Sequence, residues 1–234
     1  KGRMMTLNDD LHALLGPEGL LTDTESLRLH GSDLLDEGAP CLAVIRPTSV
    51  DALAEAVRLI GAAGVPMAPR GGGLTYVRGY VVPDRGFVAV DLARLNQIVS
   101  ISEEDMVITV EAGVTWRQIH EALTPIGLRL PFFGTFSGAR ATVGGGLSNG
   151  ALFLGTARHV SAAEAVIGME VVLADGTLLH TGQQAVERAP KPFMRTFGPD
   201  LTGLFVHDAG ALGIKARVSL RLIRAPKASG YLSF

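Results

Sequence analysis

The sequence has one cysteine, Cys41, in 234 residues. That excludes an internal disulfide and fits a reducing compartment. Cys41 opens the apolar run Cys41-Leu42-Ala43-Val44-Ile45, so a buried strand thiol is expected and not a nucleophile. No run of about 18 apolar residues occurs, so no transmembrane segment is expected, and the opening residues lack the pattern of a secretory signal. Neither sign of charge dominates: the net charge is -2, and no basic stripe is interleaved with aromatics. Nucleic acid is therefore not an expected partner. Gly-Lys-Ser and Gly-Lys-Thr are both absent, which excludes a P-loop. The six histidines form no compact ligand spacing, so no metal site is expected. Among them His159 and His207 are of interest because of what surrounds them.

What is present is a globular composition, with 47% hydrophobic and 19% charged residues, and 29 glycines, several in tight clusters. The first clear unit is a strand at residues 42–46, then Pro47-Thr48-Ser49, where Thr48 or Ser49 caps a helix. That helix carries Leu53, Ala56, Val57 and Ile60 at helical spacing. A strand at 66–69 follows, making a β-α-β unit. Further strands are expected at 87–92, 97–101 and 106–111, the last two joined by a hairpin turn. A second amphipathic helix spans 115–123. Strands at 163–173 and 177–180 meet at the turn Ala174-Asp175-Gly176. Residues 214–223 alternate as a half-buried strand with Lys215, Arg217 and Arg221 outward. Strands outnumber helices and several adjoin by hairpins, so the fold class is α+β in two lobes, not a doubly wound sheet.

Arg70-Gly71-Gly72-Gly73-Leu74-Thr75 follows the second strand. Consecutive N–H groups freed of side chains can form a concave anion nest suited to a pyrophosphate. An ordinary glycine-rich turn is the alternative. A dinucleotide fingerprint does not fit, since the third glycine is missing and no helical periodicity follows. A second cluster runs Arg140-Ala141-Thr142-Val143-Gly144-Gly145-Gly146-Leu147-Ser148-Asn149-Gly150, and a third runs His207-Asp208-Ala209-Gly210-Ala211-Leu212-Gly213-Ile214. Taken singly, each could serve the fold alone.

In this order, the three clusters resemble the FAD-binding (PCMH-type) domain of the vanillyl-alcohol oxidase/p-cresol methylhydroxylase superfamily. Within it the chain is most similar to the branch of the glycolate oxidase D subunit, D-lactate dehydrogenase and D-2-hydroxyglutarate dehydrogenase. Ile45-Arg46-Pro47-Thr48-Ser49, the segment 168–176 and the segment 200–214 carry the resemblance further, so that it covers roughly residues 40–225. The resemblance implies an FAD-dependent dehydrogenase or oxidase acting on a hydroxyl-bearing carbon, such as that of glycolate or D-lactate. A non-catalytic flavoprotein subunit, or an enzyme of the same fold with other chemistry, is the alternative. The implied FAD contacts are Pro69, Arg70, Gly71, Gly72, Gly73, Leu74 and Thr75 around the pyrophosphate. Ala141, Thr142, Gly145, Gly146, Ser148 and Asn149 continue toward the isoalloxazine, with Arg158 as an anchor and Gly210 and Ile214 at the third cluster. Leu74 stands where covalently flavinylated relatives carry histidine, so non-covalent FAD is expected.

The resemblance further implies an N-terminal extension over residues 1–39, an FAD-binding domain over 40–225 with a subdomain boundary near 110–125, and the start of a C-terminal substrate domain at 226–234. The catalytic base is expected to lie in that further domain, so none is assigned here. The expected partners are a small-molecule substrate and that missing domain or partner subunits. A cytoplasmic setting is expected, with peripheral membrane association left open.

Overall fold

The computed structural model describes residues 2–38, 40–82, 86–132, 135, 137–150, 154–188, 191–196, 198–228, 230 and 232. Of residues 226–234, where the start of a further domain is expected, positions 229, 231, 233 and 234 lie outside them.

The chain opens with α1 (Gly2–Leu15), β1 (Leu20–Leu21) and α2 (Thr24–His30). β2 (Cys41–Ile45) leads into α3 (Val50–Ala62). Ser49 starts α3 by accepting the Ala52 N–H at 3.1 Å. Leu53, Ala56, Val57 and Ile60 are fully buried against the sheet, as their spacing requires. β3 (Met67–Arg70) and β4 (Phe87–Asp91) complete a mixed sheet of order β1-β2-β4-β3, in which β2 and β3 both run parallel to β4. The β-α-β unit is therefore present, but β4 is inserted between its two strands. All five residues of β4 are buried, which suits a strand covered on both faces.

The remainder comprises β5 (Ile98–Ser102), β6 (Val107–Glu111), α4 (Trp116–Leu123), β7 (Leu128–Arg129), α5 (Val143–Ser148), α6 (Thr156–His159), β8 (Val166–Val172), β9 (Leu178–His180), β10 (Ile214–Arg221) and β11 (Ile223–Arg224). A second, fully antiparallel sheet has the order β5-β6-β10-β8-β9, and β7 pairs with β11 in a short ribbon. The chain passes from one sheet to the other between Asp91 and Ile98. β5 is tied by its hairpin to β6. α4 is fixed by a capping box between Thr115 and Gln118 and buries Trp116, Ile119 and Leu123.

The two sheets share a core. Ala112, Val172, Ile214 and Ala216 from the second pack with Leu53, Ile60, Val88 and Val90 from the first. A separate cluster around Ile108, Met169, Val218 and Leu220 fills the second sheet's other face. The ends of β3 and β10 thus meet at a seam between the sheets, and the glycine clusters lie along it. One sequence expectation fails here: Lys215 is not outward but 3% exposed. β10 is the central strand, and its first residues sit in the seam, so the alternation of a half-exposed strand does not apply there.

Candidate functional site

The loop leaving β3 builds one wall of the site. Among the described residues, the backbone N–H groups of Gly71, Gly72, Gly73 and Leu74 make no backbone hydrogen bond, while the Thr75 N–H lies against the Tyr80 hydroxyl. Four successive donors without a backbone acceptor are what an anion nest requires. Gly73 takes a left-handed conformation (φ 70°), and a Cβ there would lie 2.7 Å from the Arg70 guanidinium. At Gly72 a Cβ would run into the Arg140 carbonyl oxygen of the facing cluster. The two clusters approach as closely as backbone permits.

The opposite wall is α5 with its cap. A helix through three glycines has poor intrinsic propensity, and tertiary bonds hold it. Thr142 accepts the Gly145 N–H at 3.3 Å, the Val143 N–H donates to Val114 O at 2.8 Å, and the Gly144 N–H donates to Ala112 O at 2.9 Å. These donors are consumed by the fold, so the anion-binding capacity lies in the 71–75 loop. The third cluster hangs on the last turn of α5, through His207 N–H to Leu147 O and Ala209 N–H to Ser148 O, both 2.9 Å. His207 and Ala209 have φ of 60° and 51°, a conformation that costs about 1–2 kcal/mol per non-glycine residue. The His207 ring packs beside Gly150, where a Cβ would come within 2.8 Å of Nδ1.

These walls enclose a cleft of about 690 Å3, within the roughly 300–1,000 Å3 usual for ligand sites. All the expected contact residues line it except Arg158 and Ile214. Arg158 is exposed on the short α6, outside the lining. Ile214 is buried in the core shared by the sheets, one residue from Lys215, which does line the cleft. Sequence reasoning did not place Tyr76, Val77, Gly79, Tyr80, Leu92, Thr135, Ser137, Leu154 and Lys215 in the lining. Of these, Tyr76 and Lys215 stood directly beside a recognised cluster.

Among the described lining residues, Arg70 and Lys215 are the only charged ones. Arg70 braces the loop: Nη1 donates to Ser32 O at 2.8 Å, and the guanidinium lies 4.4 Å from the Tyr80 ring centre. Burial pushes the Tyr80 phenol up. Next to the cleft, Asp91 at the end of β4 sits 3.5 Å from His30 Nε2 and 3.3 Å from Arg46 Nε. Burial alone would raise its carboxyl. Hydrogen bonds from His30 and the Ala93 N–H, with the neighbouring Arg46 charge, outweigh that and hold it below 3.8. Burial pushes the Cys41 thiol up, in keeping with an inert strand residue. Among the described residues, no group of three or more metal-ligating side chains occurs, and no helix is long and apolar enough to cross a membrane.

A cleft at a sheet seam, a glycine nest with unused N–H donors and no acidic side chain among its described lining residues define a dinucleotide-cofactor cradle. A family model described as FAD binding domain matches residues 41–182, and the chain belongs to that family. Its relatives include a probable mitochondrial D-lactate dehydrogenase of Danio rerio, 32% identical over 92% of this chain and 42% of that protein. D-2-hydroxyglutarate dehydrogenase of Stutzerimonas stutzeri is 30% identical over 94% of this chain and 46% of its own length. Glycolate oxidase subunit GlcD of Bacillus subtilis is 31% identical over 79% and 37%. The chain therefore spans less than half of each of these relatives. The solved structure of p-cresol methylhydroxylase superposes with a TM-score of 0.83 at 24% identity, covering 97% of this chain and 45% of that one. That likeness establishes the two-lobed α+β fold.

Proposed function

We propose that this chain is the cofactor-holding part of an FAD-linked oxidoreductase that oxidises the hydroxyl-bearing carbon of a small 2-hydroxy acid. The observation that carries the reading is the 71–75 loop, which lines the cleft and in which the N–H groups of residues 71–74 make no backbone hydrogen bond among the described residues. A pyrophosphate fits that donor set. The lining is unevenly exposed: Leu92 and the Lys215 side chain are 5% and 2% exposed, whereas Tyr76, Val77 and Leu154 are 60% or more exposed. In this reading an extended dinucleotide seated on the loop sets its adenosine half against the buried lining residues and its ring system toward the exposed ones, where a substrate can reach it.

When bound, FAD supplies the hydride acceptor. The residues of this chain hold the pyrophosphate, shield the adenosine half from water and leave the exposed side accessible. Leu74 offers no atom for a covalent link, so the flavin is held by non-covalent contacts alone. The substrate class rests on the names of the relatives, which act on D-lactate, D-2-hydroxyglutarate and glycolate, all 2-hydroxy acids. We assign no base to these residues.

Acid precipitation of the FAD-loaded protein should leave the flavin in the supernatant, and flavin pelleting with the protein would contradict non-covalent binding. Anaerobic mixing with glycolate, D-lactate and D-2-hydroxyglutarate tests the substrate class, with photochemical reduction as the control. Bleaching by one of these acids supports it. Bleaching by light alone removes 2-hydroxy acid oxidation from what these residues can do.

A further inference from the structure

Lys215 and Asp208 form an ion pair of 2.6 Å in which both side chains are 2% exposed. Buried pairs of this kind carry a desolvation penalty that their attraction often fails to recover, so stability alone is a weak reason to keep one. Its setting is also strained. The residues on either side of Asp208, His207 and Ala209, are both left-handed without being glycine. That turn directs the carboxylate inward, where Oδ1 accepts both the Lys215 ammonium and the Gly210 N–H at 3.0 Å. Strain at non-glycine residues persists where the surroundings over-determine it, and it concentrates at ligand sites.

The pair is incompletely satisfied. An ammonium has three N–H donors, and among the described residues only Asp208 Oδ1 receives one from Lys215. Asp208 Oδ2 is buried with no donor. Lys215 lines the cleft, while the other cation there, Arg70, is already engaged with Ser32 and Tyr80. Lys215 is thus a buried cation with spare donors in the cleft lining.

We propose that Lys215, oriented by Asp208, is a cofactor-contact residue whose ammonium donates to an acceptor on the adenosine diphosphate half of FAD. This rests on the FAD reading above. Asp208 is the positioning residue: it neutralises the ammonium before the ligand arrives and fixes its direction.

The test compares FAD and ADP binding, by fluorescence titration and competition, in three proteins: the unaltered chain, Lys215→Met/Asp208→Asn and Asp208→Asn. The double variant removes both charges and retains an acceptor for the Gly210 N–H, so folding should survive, which a melting curve without ligand checks. Loss of a charged hydrogen bond predicts that the double variant binds FAD and ADP about tenfold or more weakly. Asp208→Asn keeps the ammonium but removes its orienting carboxylate, so it should weaken FAD and ADP binding by a clearly smaller factor than the double variant does. Unchanged FAD and ADP affinity in the double variant overturns the inference. So does equal loss in both variants, which would assign the pair to packing alone, and so does FAD weakening with ADP unaffected. An unaltered chain that binds no FAD overturns the FAD reading instead.

Discussion

Gly72→Ala is the sharpest perturbation of the cradle. The added methyl would meet the Arg140 carbonyl oxygen, a backbone atom that cannot swing aside. The 71–75 loop must then move away from the facing cluster, or the 140–142 backbone must give. Overpacking of this kind costs about 1–3 kcal/mol. In a domain of this size each kcal/mol lowers the melting temperature by roughly 2–4 °C, so a fall of about 2–12 °C is expected. The displaced N–H groups should also weaken FAD binding by about tenfold or more, corresponding to about 1.4 kcal/mol. Gly64→Ala is the matched control. It places a side chain at φ 67° with nothing within 4 Å, so it should cost about 1–2 kcal/mol with FAD affinity intact. Thermal melts of the ligand-free protein and FAD titrations separate the two quantities. A Gly72→Ala variant with unaltered melting and affinity would refute the close-approach argument.

Three further outcomes follow from the same contacts. Ser49→Ala removes the α3 cap and should lower stability by about 1 kcal/mol in urea titrations without touching FAD affinity. Ile60→Ala, at a fully buried position in the shared core, should cost about 2–5 kcal/mol and reduce soluble yield. Because Asp91 has its folded carboxyl held below 3.8, its contribution is present above that value and is lost as pH falls through the folded value. Urea midpoints should therefore drop below about pH 4 in the unaltered chain and less steeply in Asp91→Asn; identical acid profiles would remove Asp91 from the account.

Much of the fold was legible because local and tertiary signals agree. α3 shows a cap, a helical apolar face and a glycine-rich stop, and its sheet contacts reinforce each of them. The hairpins β5–β6 and β8–β9 carry turn residues that tertiary packing leaves alone. Other features depend on non-local pairing. Nothing in residues 42–69 signals that β4 will insert between β2 and β3, since that follows from β4 being apolar on both faces. α5 is hidden by its glycines, because its start is held by carbonyls of Val114 and Ala112 some thirty residues earlier. Of the candidate site, the nest was legible from side chains that are absent. Lys215 was not, because an alternating strand pattern presumes one wet face, and the first residues of β10 have none.

The account's central claim is that the 71–75 loop and the cleft it lines hold FAD. The most direct measurement is the visible absorption spectrum of the purified protein after incubation with FAD and desalting. The account predicts retained flavin bands at close to one FAD per chain, lost from the protein on denaturation. A colourless protein that takes up no FAD would mean that the glycine clusters serve only to bring the two sheets together.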